Sequence, residues 1–115
     1  LEEDCLKTSD WSRQVRRYAP ADAHIPRKLG GGILKEVVEQ DVLTGELLRY
    51  AVAYINPLIF AGDNGRVLGY DNAHGYPHRH CMGRITPEPD STWEAIREKF
   101  EMEWRQIAID YINGS

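Results

Sequence analysis

The sequence predicts a single α+β domain: an antiparallel four-stranded meander sheet, a C-terminal amphipathic helix packed on one face, and a short N-terminal helical arm. Three observations predict it. Four segments between residues 33 and 85 are rich in β-branched and aromatic residues and are joined by turn-type sequences. The segment after Pro89 carries apolar residues at helical spacing behind a capping sequence. With 115 residues and 42% hydrophobic content the chain supplies one core, so residues 1–115 read as one domain, divided into an arm (1–32) and a sheet-plus-helix body (33–115).

The arm reads first as a helix over 9–18. Ser9 or Asp10 caps it, Trp11, Val15 and Tyr18 recur at helical spacing, and Ala19-Pro20 ends it. Gly30-Gly31-Gly32 costs too much backbone entropy for a regular element and reads as a hinge, about which the arm swings onto a partner subunit.

Ile33 to Val42 reads as the first strand, and Thr44-Gly45 turns the chain into a second from Glu46 to Ile55. Tyr50, Val52 and Tyr54 fall on one face of that strand and Ala51, Ala53 and Ile55 on the other, which predicts that both faces are covered. Asn56-Pro57 ends it. Asp63-Asn64-Gly65 is a turn signal, because Asn and Gly tolerate positive φ, and it leads to a third strand, Arg66 to Asn72. A fourth follows from about Arg79 to Ile85.

Pro87-Glu88-Pro89 separates sheet from helix. In Ser91-Thr92-Trp93-Glu94 a capping box is expected, with Ser91 and Glu94 satisfying each other's amides. Trp93, Ile96, Phe100, Trp104, Ile107 and Tyr111 form the stripe that covers the sheet, and Asn113-Gly114 terminates the helix. Met102, Ile109 and Ile112 widen the stripe and predict a homodimer contact. Repeats and low-complexity tracts are absent.

The bulk properties exclude several classes. No apolar run approaches the ~20 residues of a membrane span, and Leu1-Glu2-Glu3-Asp4 does not open a secretory signal. Cys5 and Cys81 follow no metal-ligand spacing; they allow one disulfide, but a reduced, cytoplasmic chain is the simpler reading. The net charge of −4 argues against nucleic-acid binding driven by bulk charge. That charge is unevenly spread. Residues 10–35 carry six basic groups (Arg13, Arg16, Arg17, Arg27, Lys28, Lys35) against Asp10 and Asp22, whereas residues 86–115 carry three against seven acids. Only the basic arm offers RNA a favourable field.

Chemistry concentrates in Tyr70-Asp71-Asn72-Ala73-His74-Gly75-Tyr76-Pro77-His78-Arg79-His80, which holds three of the four histidines. Histidine gives or takes a proton near neutral pH and binds metals. Pairing Asn72 with Arg79 across a hairpin places Asp71 opposite His80, where it fixes the imidazole tautomer. His78 and His80 alternate along the strand and share a face, and Arg79 points the other way unless a bulge intervenes.

Three readings follow. In the first, His78 and His80 are general acid and base, Asp71 orients one of them, and Arg79 holds phosphate, which suits RNA cleavage without a metal. In the second, His78 and His80 bind a transition metal with His74 or Asp71. In the third, the segment is a structural hairpin. Tyr70 and Tyr76 flank it and have the rings to stack bases. Cys81 alternates onto the other face, away from the histidines. Gly30-Gly31-Gly32 lacks the Gly-Lys-Ser/Thr of a phosphate loop.

The string Tyr70-Asp71-Asn72, then Gly75, then His78-Arg79-His80 resembles the signature of the TumE-like family over roughly residues 33–112. Its members are small toxins of bacterial toxin–antitoxin pairs, usually encoded beside a helix-turn-helix antitoxin. The resemblance implies an antitoxin protein as partner and marks Asp71, Asn72, His78, Arg79 and His80 as the residues of the site. With the first reading above it gives RNA as a further partner, His78, His80, Asp71 and Arg79 as catalytic residues, and Asn72, His74, Tyr70 and Tyr76 as substrate-binding ones. No metal and no cofactor is expected. The alternative from another class is a dimeric binding module without chemistry that recognises a protein or small ligand.

Overall fold

Alternation along the long strands decides which residues meet the helix. The computed structural model describes residues 14–89 and 92–114. Its strands are β1 (Val15–Tyr18), β2 (Ala23–His24), β3 (Ile33–Asp41), β4 (Leu47–Ile55), β5 (Arg66–Asp71), β6 (His78–Cys81) and β7 (Arg84–Pro87), followed by helix α1 (Trp93–Ile112). They form one antiparallel sheet in the order β1-β3-β4-β5-β6-β7, with β2 on the same edge of β3 as β1. The α+β class and the meander therefore stand, but the sheet has seven strands among the described residues, not four.

Two misread segments account for the difference. Val15–Tyr18 is a strand, paired Val15↔Asp41 through Tyr18↔Val38, so the expected helix over 9–18 does not hold there, and no N-terminal helical arm lies among the described residues. So short a run holds too few periods to separate helix from strand, and the open edge of β3 decides it. Ser9, Asp10 and Trp11 lie outside the described residues. The expected fourth strand divides into β6 and β7 at Met82-Gly83, where both residues take positive φ (48° and 84°) as a two-residue hairpin loop requires.

Tyr50, Val52 and Tyr54 of β4, with Val38, Leu68 and Tyr70 beside them, face Ile96, Phe100, Trp104 and Ala108 of α1. These four helical residues recur every fourth position, so one stripe is buried. Each large apolar side chain in it contributes roughly 1.5–3 kcal/mol. Tyr50 packs on Trp93 and Tyr54 on Trp104, with ring centroids 4.8 and 5.4 Å apart. Ala108, not Tyr111, ends the stripe; Tyr111 is exposed, as are Met102, Ile109 and Ile112. The cap sits one residue later than expected, with Thr92 Oγ1 accepting the Ala95 amide. Ser91 lies outside the described residues.

The triglycine is a packed corner and not a hinge. A β-carbon on Gly30 would lie 2.7 Å from Ala108 Cβ, and one on Gly32 would lie 2.7 Å from Ile55 O. Tyr54 donates to Gly31 O at 2.8 Å and Asn56 Nδ2 to Gly30 O at 2.9 Å, which locks the segment against α1 and β4. Residues 14–32 consequently line the edge of β3 and pack on the body of the domain.

Only one face of the sheet is covered by α1, contrary to the expectation from β4. The other face presents Lys35, Val37, Ala51, Ala53, Gly69, Asp71, His78 and His80 in adjacent rows. Among the described residues no helix is long and apolar enough to cross a membrane.

Candidate functional site

β5 and β6 pair Tyr70↔Arg79, Asp71↔His78 and Gly69↔His80. The register differs by two residues from the expected one. A slip of two preserves faces, so Asp71, His78 and His80 still share the open face, and Arg79 shares the covered face with Tyr70.

Asp71 and His80 meet as diagonal neighbours, with His80 Nε2 2.9 Å from Asp71 Oδ2. The other ring nitrogen, Nδ1, lies 3.1 Å from Arg66 Nη2. Arginine has donors only, so Nδ1 accepts and Nε2 carries the hydrogen donated to Asp71. The second Asp71 oxygen accepts the Ala73 amide at 3.0 Å and stands 3.9 Å from His78 Nδ1. All three side chains are well covered, with exposures of 18% for Asp71, 11% for His78 and 12% for His80.

Arg66 is the residue that sequence reading missed. By alternation it belongs with Leu68 and Tyr70 on the covered face. The β4–β5 register shifts between Tyr54↔Leu68 and Ile55↔Arg66, however, leaving Val67 as an extra residue. This bulge re-aims Arg66 onto the open face. Its Nε donates to Asp63 Oδ2 at 2.8 Å. Asp63, Asn64 and Gly65 all take positive φ, the expected turn in a tight left-handed form. Gly69 completes the path, since a β-carbon there would stand 3.0 Å from Arg66 Cδ and 3.1 Å from Val52 O. A glycine inside a strand is the one local signal for such a close approach.

Arg79 is not brought to the histidines. No bulge turns it, and its Nε donates to Glu103 Oε1 and to Tyr70 Oη, both at 3.2 Å. Burial opposes its charge, but the hydrogen bonds it donates to Glu103 and Tyr70 outweigh this and raise its pKa. Tyr70 donates to Glu103 at 2.6 Å and is buried. Burial first, and the Glu103 bond second, push its hydroxyl well up. Arg79, Tyr70 and Glu103 thus tie β5 and β6 to α1. Stacking bases on Tyr70 is excluded by its burial.

Asn72 is likewise occupied by structure. Its Oδ1 accepts the Tyr50 amide at 2.9 Å and its Nδ2 donates to Leu48 O at 3.3 Å, extending the ladder past the end of β5. Tyr76, in contrast, is 54% exposed and its ring centroid lies 4.1 Å from that of His78. His74 lies in the 3-10 turn Ala73–Gly75, and its side chain is outside what the structure describes.

Among the described residues no three His, Cys, Asp or Glu side chains are placed to hold a metal ion. Cys81 lies on the covered face, packed against the core, with no disulfide partner among the described residues. What the arrangement provides is an ordered chain, Asp63–Arg66–His80–Asp71, with His78 and Tyr76 beside it. Set against models of known families, curated proteins and solved structures, the chain gives no match.

Proposed function

We propose that this domain is a toxin-type protein that cleaves RNA without a metal, using His78, His80, Asp71 and Arg66 on the open face. One observation carries the reading: Arg66, His80 and Asp71 form a continuous hydrogen-bonded chain on the sheet face that the core does not use. Arg66 takes the role first given to Arg79. A phosphodiester draws the guanidinium to itself, which releases His80 Nδ1. That nitrogen accepts the 2′-hydroxyl proton as the 2′-oxygen attacks phosphorus, and Asp71 holds the ring from Nε2. His78 donates a proton to the departing 5′-oxygen as its bond to phosphorus breaks, leaving a 2′,3′-cyclic phosphate. Resemblance to the TumE-like signature adds an antitoxin as protein partner.

Induction of the wild type in a bacterial host arrests growth, and induction of the His78→Ala/His80→Ala double variant, folded and at equal level, does not. Arrest by the double variant would overturn the reading. A second reading has its own observation: Arg66 and Asp71 together occupy both nitrogens of His80. On that reading the chain is a rigid support for a dimeric binding module. It predicts that Arg66→Ala loosens the sheet without changing any RNA.

A further inference from the structure

β1 and β2 share one edge of β3 but leave a gap in it. β1 pairs with Val38 to Asp41 and β2 with Ile33 and Leu34, so Lys35, Glu36 and Val37 have no strand partner on that side among the described residues. Across the gap run Ala19 to Asp22, including Pro20, which lacks an amide hydrogen. In an antiparallel strand, alternate residues point both N–H and C=O to the same edge. The gap therefore presents either the Glu36 pair or the Lys35 and Val37 pairs outward, where water or a ligand can bond to them.

A cavity of about 340 Å³ opens at this gap, lined among others by Arg17, Pro20, Lys35, Val37, Ala51 and Ala53. That volume falls within the range of small-ligand sites. Pro20, Val37, Ala51 and Ala53 give it an apolar floor, and Arg17 and Lys35 put cations at its rim beside the acids Asp22 and Glu36. Lys35 is held by Asp22 at 2.9 Å, and Arg17 lies 3.6 Å from Glu39. Exposed pairs of this kind contribute little, so a phosphate displaces either carboxylate at small cost.

The cavity also leads to the histidines. Ala51 pairs with Asp71 and Ala53 with Gly69, and these pair with His78 and His80. The alanines are two strand spacings from the histidines, roughly 10 Å. A planar ring with donor and acceptor on its edge and a phosphate attached matches the features together. The ring lies on the alanines, its edge meets the β3 backbone, and the phosphate meets Lys35 and Arg17.

We infer that the cavity at the gap in the β3 edge binds the base of a nucleotide neighbouring the bond cleaved at His78 and His80. This deepens, and rests on, the RNA reading above. The test titrates each of the four nucleoside 3′-monophosphates, and ribose 5-phosphate as control, into the whole chain while amide NMR shifts are followed. At least one nucleotide shifts the amides of residues 35–37 saturably, and ribose 5-phosphate does not. Ala53→Leu fills the floor and weakens that nucleotide by about tenfold or more; Lys35→Ala weakens it without adding bulk. Shifts at 35–37 that ribose 5-phosphate reproduces, or no nucleotide-dependent shift there, overturn the inference. His78→Ala keeps nucleotide binding while RNA cleavage is lost. A chain that binds nucleotides at 35–37 but never cleaves RNA sinks the proposed chemistry, and with it the subsite's place beside a cleaved bond, and leaves only a nucleotide site. One that cleaves without nucleotide shifts at 35–37 sinks the base subsite alone.

Discussion

Asp71 holds His80, its diagonal neighbour, more closely than His78, its direct cross-strand partner: 2.9 Å against 3.9 Å. The closer contact needs His80 tilted along the strand, and Arg66 supplies that tilt from the other ring nitrogen. A surface pair of carboxylate and imidazole contributes little by itself. Here both partners are more than four-fifths covered and tied at their far sides, so the ring is held in one orientation.

Gly69→Ala tests how that orientation is built. The added methyl meets Arg66 Cδ at 3.0 Å and the fixed Val52 carbonyl at 3.1 Å. Stability is expected to fall by about 1–3 kcal/mol in urea denaturation, with His80 side-chain NMR signals displaced. An unchanged His80 spectrum would show that Arg66 does not lie where the hydrogen bond puts it.

Arg79→Met separates the covered face from the open one. It removes the link to Glu103 and Tyr70, and because Arg79 and Glu103 are each about a third exposed the expected loss is about 1–2 kcal/mol. Cleavage per folded molecule should be unchanged. Loss of activity in a folded Arg79→Met chain would return Arg79 to the chemistry.

What the sequence made legible follows from parity. Alternation placed Asp71, His78 and His80 together and sent Arg79 away, and this survived a register error of two residues because such a slip preserves faces. Parity could not reveal Arg66, whose face is reversed by the bulge at Val67. The helix was legible because its stripe runs for several turns. Val15–Tyr18 was not, since its partner lies on β3 and its own pattern is too short. The β6–β7 turn was hidden by Met82, a residue that rarely takes positive φ.

Tyr50 gives a stability prediction of the opposite sign. Its hydroxyl is buried with no hydrogen-bond partner among the described residues, and an unsatisfied buried group costs about 1–3 kcal/mol. Tyr50→Phe should therefore leave the midpoint of thermal unfolding unchanged or raise it. A clear drop would mean that the hydroxyl has a partner.

Alkaline pH tests the same core. Burial, with Asp71 and then Glu88 adding to it, pushes the Tyr50 hydroxyl up to about 12, and Tyr70 is pushed up also. An unfolded tyrosine ionises at about 10, so above that pH the unfolded chain has lost protons that the folded chain keeps. Stability is full below the unfolded value and is lost as pH rises through about 12. Urea midpoints across this range should fall, and Tyr50→Phe should make the fall shallower. Midpoints independent of pH would contradict the burial of both hydroxyls.

Metal-independent cleavage of RNA by the proposed open-face cluster is tested with purified chain, single-stranded RNA and excess EDTA. Fragments ending in 2′,3′-cyclic phosphate are expected from the wild type and none from His78→Ala/His80→Ala. Arg66→Ala is predicted to cleave at a rate lowered by about 10²–10³. Intact RNA with the wild type, or equal cleavage by the double variant, would contradict it.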